Sequence, residues 1–581
     1  MGELKIKRIS APYLGMNSET NQTALADGEA LFLQNFLVHR DNFVPMRGGL
    51  YNDDTYGLAA YSTSAAVLAG VWTFNNRCLV TRAAVDATKV REPHTTAYAE
   101  ASTASLADPN TTYHHILTGA AGSVTPISGT VDDAPGGRCA VVEGKAYGFA
   151  YGGSTNLTYT TGGNARKRAF LQWGGGASAP TVYTAAPDSG QDVIEHLHRI
   201  FVLGARDVPG AKTTINPNSL IWSNPGGPVT DTVGVWQDAG ITNQIIIGGD
   251  DGDVGVALAH VGENLLILKR RSLYILYGYS SATFQVKRFS SNVGCLDPRS
   301  VVELGDGVFF ASDAGLMYTD GSSLVNISSQ VRSYVSSYTR RLVGDAVNPG
   351  ARVAAMTLPN DYLLFSMLDQ DFASPSATGA SIAWLYHVPT GRWSTFYAHP
   401  MTHRVPAWGG RVSPYNVMFG TTRFYISDFV TAPERDLSGV AQGIDSGPSV
   451  NSRSIYAWWV SPSVELGDAA HGAKMHRVLI DTGLLRQDND DDDPEGGFSM
   501  FLTRGDSSLM LGPTDLASLG FLTNATRKRD VRDVFTETMT SDARIDLHWF
   551  DTSDPATEPI AKADVYGAFL EYEVIRQRRS G

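Results

Sequence analysis

Two acidic segments of this 581-residue chain carry side chains of the kind that bind hard cations. The first has the sequence GGDDGD over residues 248–253, and the second has the sequence DNDDDDPE over residues 488–495. A calcium-binding EF-hand loop requires a glutamate at its twelfth position. Counted from Asp250, that position is Val261. The first segment therefore predicts a turn before a strand, and the second, a block of like charge, predicts an exposed hairpin tip.

The histidines form one pattern that could chelate a metal. His196 and His198 are two residues apart, so they would share a face if one strand contained both. A polar strand edge is the alternative interpretation. The adjacent pair His114-His115 follows Tyr113 in a segment that we expect to be a polar loop.

Catalytic motifs are missing from the sequence. It has no Gly-x-Ser-x-Gly elbow, no phosphate-binding P-loop and no His-Glu-x-x-His zinc motif. The segment most similar to the Asp-box of propeller glycosidases, residues 312–318, has a different spacing and lacks the tryptophan. We predict that the protein is not an enzyme, and we predict no catalytic, cofactor-binding or metal-ligating residue and no cofactor.

Charge and cysteine content argue against further classes of protein. The net charge of −13 disfavours a protein that grips nucleic-acid phosphates with clustered lysine and arginine. Cys78, Cys139 and Cys295 lie far apart and lack CxxC spacing, so neither a disulfide framework nor a zinc site is predicted. The first residues lack the apolar core of a secretory signal. No uncharged apolar run approaches the ~18 residues of a membrane span, and we expect a soluble protein.

Short apolar segments closed by tight turns dominate residues 254–335. Asp320-Gly321 is one such turn, and Asp-Gly favours a hairpin because glycine accepts a positive φ. Asn264 and Val308, which begin equivalent strands, are 44 residues apart. That spacing is close to the roughly 40–45 residues of a four-stranded propeller blade. The strands predicted here are 264–269, 273–277, 284–289, 301–304, 308–312 and 316–319.

These units predict an all-β fold in which residues 51–430 form a β-propeller of about six blades, with insertions at about 85–190. Two stacked β-sandwiches would show the same short strands, so that alternative stays open. Residues 1–50 are interpreted as an N-terminal arm that leads into the first blade, with a short helix over 23–33. Residues 431–450 are rich in Gly and Pro and predict a connector. Residues 451–581 predict a C-terminal antiparallel β-sandwich domain.

Several motifs together resemble phage tail proteins of the nozzle, or tail tubular protein B, type. The opening of that family is similar to Gly15-Met16-Asn17, Leu25-x-Asp27-Gly28-Glu29-Ala30, Asn35-Phe36 and Arg47–Leu50 of this chain. The segment 266–312 resembles the central blades of the family. Other turn patterns that resemble it are 218–226, 390–394 and 570–573.

The resemblance implies a structural protein of the virion tail, made in the host cytoplasm, with no catalytic residue. It implies a homo-oligomeric ring, commonly a hexamer, at the distal part of a short tail, where it forms part of the conduit for DNA ejection. The implied partners are further copies of the chain, tail adaptor proteins and tail fibres. DNA would pass through the lumen without specific binding, which suits a net-acidic protein. The alternative is a tail-tip receptor-binding protein, or adhesin, that recognises a host surface ligand, and a propeller hydrolase is a third hypothesis.

Overall fold

The structure is a computed structural model, and it describes segments along the whole chain. Strands make up most of these segments, with short 3-10 helices at Val233–Trp236, Pro298–Ser300 and Ser329–Val331. Within the described residues, no helix is long and apolar enough to cross a membrane. The described residues are 4–39, 44–45, 66–74, 77–84, 112–116, 124–127, 135–150, 170–174, 180–183, 185–187, 190–204, 218–249, 251–336, 353–358, 360–367, 381–398, 401–403, 416–420, 424–427, 435–436, 453–454, 457–466, 471–485, 496–504, 507–510, 528–533, 542–551 and 562–576.

Strands β1 to β5 belong to the N-terminal segment, and consecutive sheets follow them. The N-terminal strands are β1 (Leu4–Ser10), β2 (Gly15–Met16), β3 (Glu29–Ala30), β4 (Phe32–Gln34) and β5 (Val44–Pro45). Unit 1 contains β6 (Ala66–Phe74), β7 (Arg77–Ala84), β8 (Thr112–Ile116) and β9 (Val124–Ile127). Unit 2 contains β10 (Pro135–Val142), β11 (Lys145–Ala150), β12 (Phe170–Trp173) and β13 (Thr181–Tyr183).

The next three units lie in the region where the strand pattern of the sequence is clearest. Unit 3 contains β14 (Asp192–His196), β15 (Arg199–Leu203), β16 (Ser219–Trp222) and β19 (Gln244–Ile246), and the hairpin β17 (Gln237–Asp238) and β18 (Ile241–Thr242) precedes β19. Unit 4 contains β20 (Gly255–Val261), β21 (Asn264–Lys269), β22 (Leu273–Tyr277) and β23 (Gln285–Ser290). Unit 5 contains β24 (Val302–Leu304), β25 (Gly307–Ser312), β26 (Gly315–Thr319) and β27 (Leu324–Asn326).

Two further units complete the series of antiparallel meanders. Unit 6 contains β28 (Val353–Leu358), β29 (Tyr362–Met367), β30 (Ser381–His387) and β31 (Arg392–Ala398). Unit 7 contains β32 (Met401–His403), β33 (Asn416–Gly420) and β34 (Phe424–Ser427). Within every unit, neighbouring strands pair antiparallel. The prediction of an all-β fold is confirmed, and so are the strands predicted between residues 264 and 319.

Consecutive units share apolar cores, which explains why their central strands are apolar on both faces. In β21, Leu265 and Ile267 pack into the core that unit 4 shares with unit 3. The alternate residues Leu266 and Leu268 pack into the core that unit 4 shares with unit 5. Because successive strand side chains point to opposite faces, a strand between two such cores requires a continuous apolar run. The sequence of β21 supplies that run.

The first strands of the units contact one another in chain order. Contacts run from β6 to β10, then to β14, β20, β24, β28 and β32, and β32 contacts β6. The series of first strands therefore returns to its starting point. Units 1 and 2 are also joined directly, because β6 pairs with β10 in parallel at Gly70 and Gly137.

Two large sheets and a separate sheet of two short strands contain the C-terminal strands. These strands are β35 (Arg435–Asp436), β36 (Arg453–Ser454), β37 (Ala457–Val460), β38 (Val464–Glu465), β39 (His471–Leu485), β40 (Gly496–Arg504), β41 (Ser507–Met510), β42 (Lys528–Asp533), β43 (Asp542–Asp551) and β44 (Lys562–Arg576). One sheet has the order β1-β44-β39-β42, and the other continues from β31 through β4, β37, β43 and β40 to β41. Leu570 and Val478 of the first sheet share a core with Trp459 and Ile545 of the second.

The N-terminal segment is built into these C-terminal sheets. All seven residues of β1 pair with β44, from Leu4 opposite Glu573 to Ser10 opposite Gly567. Strand β4 pairs with β37, and β5 pairs with β44. The arm predicted over residues 1–50 thus contributes strands that the sequence pattern did not reveal, because their partners lie at the other end of the chain.

The helix predicted over residues 23–33 is wrong. That segment contains a turn and the strands β3 and β4. The two acidic residues of the segment accept hydrogen bonds that hold the turn. Asp27 accepts hydrogen bonds from the backbone and side chain of Ser10, and Glu29 accepts one from the backbone of Ala26. Gly28 has a φ of +90°, which ends any helix at that point.

Residues 85–190, predicted to hold insertions, contain several strands. Strands β8 and β9 complete unit 1, and β10 to β13 form unit 2. The pair His114-His115, predicted to lie in a loop, belongs to β8. The sequence also predicts a hairpin here, with strands at 139–142 and 146–149 joined by the Glu143-Gly144 turn, and β10 and β11 confirm it.

Candidate functional site

The acidic glycine loop encloses a cation that the chain itself supplies. Lys269, at the end of β21, is fully buried, and its Nζ donates to both carboxylate oxygens of Asp251 at 2.6 and 2.8 Å. The same ammonium donates to the carbonyl oxygen of Ile247 at 3.2 Å, and the Tyr274 hydroxyl donates to Asp251 at 3.1 Å. Burial raises the pKa of Asp251, but the hydrogen bonds and charge of Lys269 outweigh that effect, and the net pKa is lowered.

The neighbouring carboxylate of the loop is equally occupied by internal donors. Asp253 accepts from the Ser272 hydroxyl at 2.6 Å and from the backbone N–H of Arg271. These bonds connect the turn between β21 and β22 to the acidic glycine loop, just before β20 begins. The prediction of a turn before a strand is confirmed, and the two described carboxylates of the loop have structural partners. Asp250 lies outside the described residues.

His196 and His198 do not share a strand face. Strand β14 ends at His196, and the next two residues, Leu197 and His198, form the hairpin turn with φ values of +54° and +56°. His196 is 4% exposed, whereas His198 lies at the exposed tip. The chelating geometry required the strand to continue, and the turn removes it.

His196 is a buried, neutral histidine. Its Nε2 atom has no hydrogen-bond partner in the structure. Burial lowers the pKa of His196 to about 4, and the positive charge of His260, whose ring centroid is 5.6 Å away, acts in the same direction. A second charge at this position is therefore disfavoured.

Carboxylates join the first strands of neighbouring units. Asp192 on β14 accepts from the backbone N–H of Leu258 on β20 at 2.7 Å. Glu303 on β24 accepts from the backbone N–H of His260, two residues further along β20, at 2.9 Å. Residues two apart present their N–H groups to the same strand edge, so both bonds satisfy the edge of β20 that faces its neighbours. An unpaired edge would otherwise leave these donors without partners.

The side chain of His260 adds a further connection at this place. Its Nδ1 lies 3.3 Å from the Glu303 carboxylate, and its Nε2 lies 2.7 Å from the carbonyl oxygen of Glu195 on β14. His260 and Glu303 are about one-third exposed, at 35% and 31% of the side-chain surface. We call His196, His260, Glu303 and the Glu195 carbonyl the histidine cluster.

Residues from some of the motifs that carried the family resemblance lie at a second place, which we call the motif junction (Gly15, Asn17, Glu29, Asn35 and Trp393). Gly15 has a φ of +82°, and a Cβ there would lie 2.9 Å from the carbonyl oxygen of Trp393. Glu29 accepts from the side chain of Asn17 at 3.0 Å. Asn35, at a φ of +60° and 2% exposed, donates its backbone N–H to Thr395 at 2.8 Å. The positive φ values of Gly15 and Asn35 explain the types of these two residues, whereas the motif Arg47–Leu50 lies outside the described residues.

Two cysteines in the described part of the chain are free thiols. Cys139 is half-buried, and Cys295 is fully buried. Burial raises the pKa of the Cys295 thiol to about 12, so it stays protonated and unreactive. No group of three or more His, Cys, Asp or Glu side chains is arranged to hold a metal ion among the residues described by the structure. The acidic run 488–495 lies outside those residues.

Sequence reasoning missed the histidine cluster and the Lys269 ion pair. His260 and Glu303 are 43 residues apart, which is close to the 44-residue spacing of equivalent strands in units 4 and 5. Comparing positions one repeat apart would have placed both residues on adjacent first strands. No repeat spacing marked the Lys269 ion pair, because its partner Asp251 lies in an irregular loop and not at an equivalent position of another unit.

The comparisons with known proteins give no family. The chain matches no protein-family model and no curated protein. Among solved structures, acylaminoacyl peptidase from Pyrococcus horikoshii matches with a TM-score of 0.32 and 7% identity, over 71% of this chain and 59% of that one. The extracellular domain of a hybrid two-component system from B. thetaiotaomicron matches with a TM-score of 0.38 and 7% identity, over 90% and 62%. A GH43_1 enzyme from Xanthomonas citri matches with a TM-score of 0.24 and 11% identity, over 45% and 86%. At these scores the likenesses carry no argument about function.

Proposed function

We propose that units 1 to 7 are the blades of an irregular β-propeller. Three observations support this arrangement: antiparallel meanders of four strands in units 1 to 6 and of three strands in unit 7, apolar cores shared between consecutive units, and first strands that contact in a closed series. The proposal has one more unit than the six or so expected from the sequence.

We propose that the protein is a structural subunit of a short phage tail, of the nozzle type. The observation that carries this proposal is the motif junction. The residues that resemble the family's opening meet the residues that resemble one of its blade turns, although Gly15 and Trp393 are far apart in the chain. Motifs that resemble the family are thus in contact with one another in this fold. Such contact is expected if the chain and the family share one fold.

The assembled form in this proposal is a ring, commonly of six copies, that surrounds a conduit for DNA. The net charge of −13 supports a conduit that DNA passes without being held, since phosphate-binding proteins gain affinity from each cationic contact. The carboxylates of the histidine cluster and of the acidic glycine loop are then scaffold residues. In this function no residue is catalytic, and the protein acts by its shape.

Imaging of the purified protein tests the proposal. The protein is examined alone and mixed with a phage tail adaptor protein, and the particle symmetry and mass are recorded. Six-fold rings with a central hole are expected. Trimers that bind host cells would favour the tail-tip adhesin, and monomers with hydrolytic turnover would favour an enzyme.

A Gly15→Ala variant adds a control that separates assembly from folding. Its Cβ would press against the backbone of Trp393 at the motif junction, so we expect lower thermal stability. If the junction only supports the fold, rings formed below the melting temperature keep their symmetry.

A further inference from the structure

The side chain of His260 connects three consecutive sheet units. It lies on β20 of unit 4, and its two ring nitrogens face Glu303 of unit 5 and the carbonyl oxygen of Glu195 of unit 3. The backbone N–H of the same residue donates to the other oxygen of Glu303 at 2.9 Å. One residue thus carries polar contacts to the sheets on both sides.

Both partners of the His260 ring are acceptors. A carbonyl oxygen cannot donate, and an ionised carboxylate cannot donate either. A neutral imidazole has only one N–H group, whereas an imidazolium has two. The two contacts can therefore be hydrogen bonds at the same time only while the His260 ring is positively charged.

We propose that His260 is a protonation-dependent clamp between units 3, 4 and 5. The charged ring holds the first strands of the three units together, and loss of its proton releases the ring from one of its two partners. This inference goes beyond the proposed function. It concerns the strength of the contacts between units 3, 4 and 5, and it holds whatever the protein assembles into.

The charged and titratable groups around the ring support this assignment. Glu303 on β24 supplies the negative charge, and the hydrogen bond to its carboxylate raises the pKa of His260 against the opposing effect of burial. On β14, the Glu195 carbonyl and the Glu195 charge raise that pKa further, although the Glu195 carboxylate itself accepts from the backbone N–H of His198 at 2.7 Å. His196, also on β14, stays neutral because of its burial and the charge of His260.

The two histidines respond to pH in opposite directions. The folded pKa of His260 is above the unfolded value of about 6.5, so its stabilising effect is complete below that pH and is lost as the pH rises through the folded pKa. The folded pKa of His196, about 4, is below the unfolded value. Its stabilising effect is present above pH ~6.5 and is lost as the pH falls toward the folded pKa.

Titration of the full-length protein tests the clamp directly. The histidines are labelled with carbon-13 at Cε1, and the signal of His260 is assigned by its loss in His260→Gln. We expect this signal to titrate above the ordinary histidine value of about 6.5. Titration at or below that value would overturn the proposal. In Glu303→Gln the titration of His260 is expected to move to lower pH, and an unchanged titration would also overturn it.

Melting temperatures give a second readout. The difference in Tm between the unmodified protein and His260→Gln is expected to shrink as the pH rises between about 5 and about 9, the range in which a histidine titrates. His198→Gln, at the exposed turn beside the cluster, is the matched control and is expected to follow the unmodified protein at every pH. A constant difference for His260→Gln would mean a packing role without a switch. If that variant fails to fold, His260→Asn supplies the assignment of the His260 signal, and the titrations of the unmodified protein and of Glu303→Gln decide the question.

Discussion

Several of the polar residues singled out above form hydrogen bonds and ion pairs with other groups of the same chain. The clearest case is Lys269, whose buried ammonium is held by Asp251 and by the carbonyl oxygen of Ile247. The segment 248–253, whose glycines and aspartates are similar to those of a calcium loop, lies around the ammonium of Lys269. The negative charge of Asp251 is thus neutralised by the covalently attached ammonium of Lys269 and not by a bound metal ion, which a chelator could remove.

Removing one partner of this ion pair should cost more than removing both charges. Lys269→Met leaves the carboxylate of Asp251 without its cation and is expected to lower the free energy of unfolding by about 3 kcal/mol. Asp251→Asn leaves the buried ammonium without its counter-charge, at a similar cost. The double variant should be more stable than the sum of the two effects predicts. Denaturant unfolding of all four proteins checks this, and strictly additive effects would contradict it.

Glycines at hairpin turns of unit 5 provide a matched pair for a second prediction. Gly321 has a φ of +83°, as predicted for the Asp320-Gly321 turn, and a Cβ there would lie 2.8 Å from the side chain of Val261. Gly305 has a φ of +61°, but a Cβ there would meet nothing within 4 Å. Gly321→Ala is expected to cost about 2 kcal/mol and Gly305→Ala about 1 kcal/mol, since only the first adds a clash to the backbone strain. Equal losses in unfolding experiments would show that the contact with Val261 does not matter.

At the scale of strands and sheets, local pairs were predictable and distant pairs were not. The hairpin of β21 and β22 follows from two apolar runs and the short turn between them, and its register joins Leu268 to Leu273. The pairing of β1 with β44 joins Leu4 to Glu573. Nothing in either segment alone indicates that partner, because a strand pattern shows which residues face a core but not which strand lies beside it.

The candidate site follows the same rule. The acidic glycine loop was correctly predicted as a turn from its composition. His260 and Glu303 were not singled out, because each is one polar residue in an apolar strand. Only the contact between first strands of neighbouring units brings them together.

Strand β1 offers a test of whether the N-terminal segment supports the C-terminal sheets. Ile9 is 2% exposed and belongs to the core of those sheets, whereas Ile6 in the same strand is 67% exposed. Ile9→Thr buries a hydroxyl in that core and is expected to cost about 2 kcal/mol. Ile6→Thr, the control, should change the free energy of unfolding by less than about 0.5 kcal/mol. Similar effects in chemical denaturation would mean that β1 does not pack as the structure shows.

At the scale of the whole molecule, two closures shape the chain. The contact between β32 and β6 brings unit 7 back to unit 1, and the pairing of β1 with β44 brings the two ends of the chain together. Both closures join residues that are far apart in sequence, and such contacts form slowly because loop-closure entropy must be overcome first.

The proposed role requires that the protein assembles, and measurement of its assembly tests the account most directly. The particle mass and symmetry of the purified protein are recorded over a range of concentrations, with and without a phage tail adaptor protein. Our account predicts six-fold rings with a central hole, with six times the mass of one chain. A stable monomer at high concentration, even with the adaptor protein present, would contradict it.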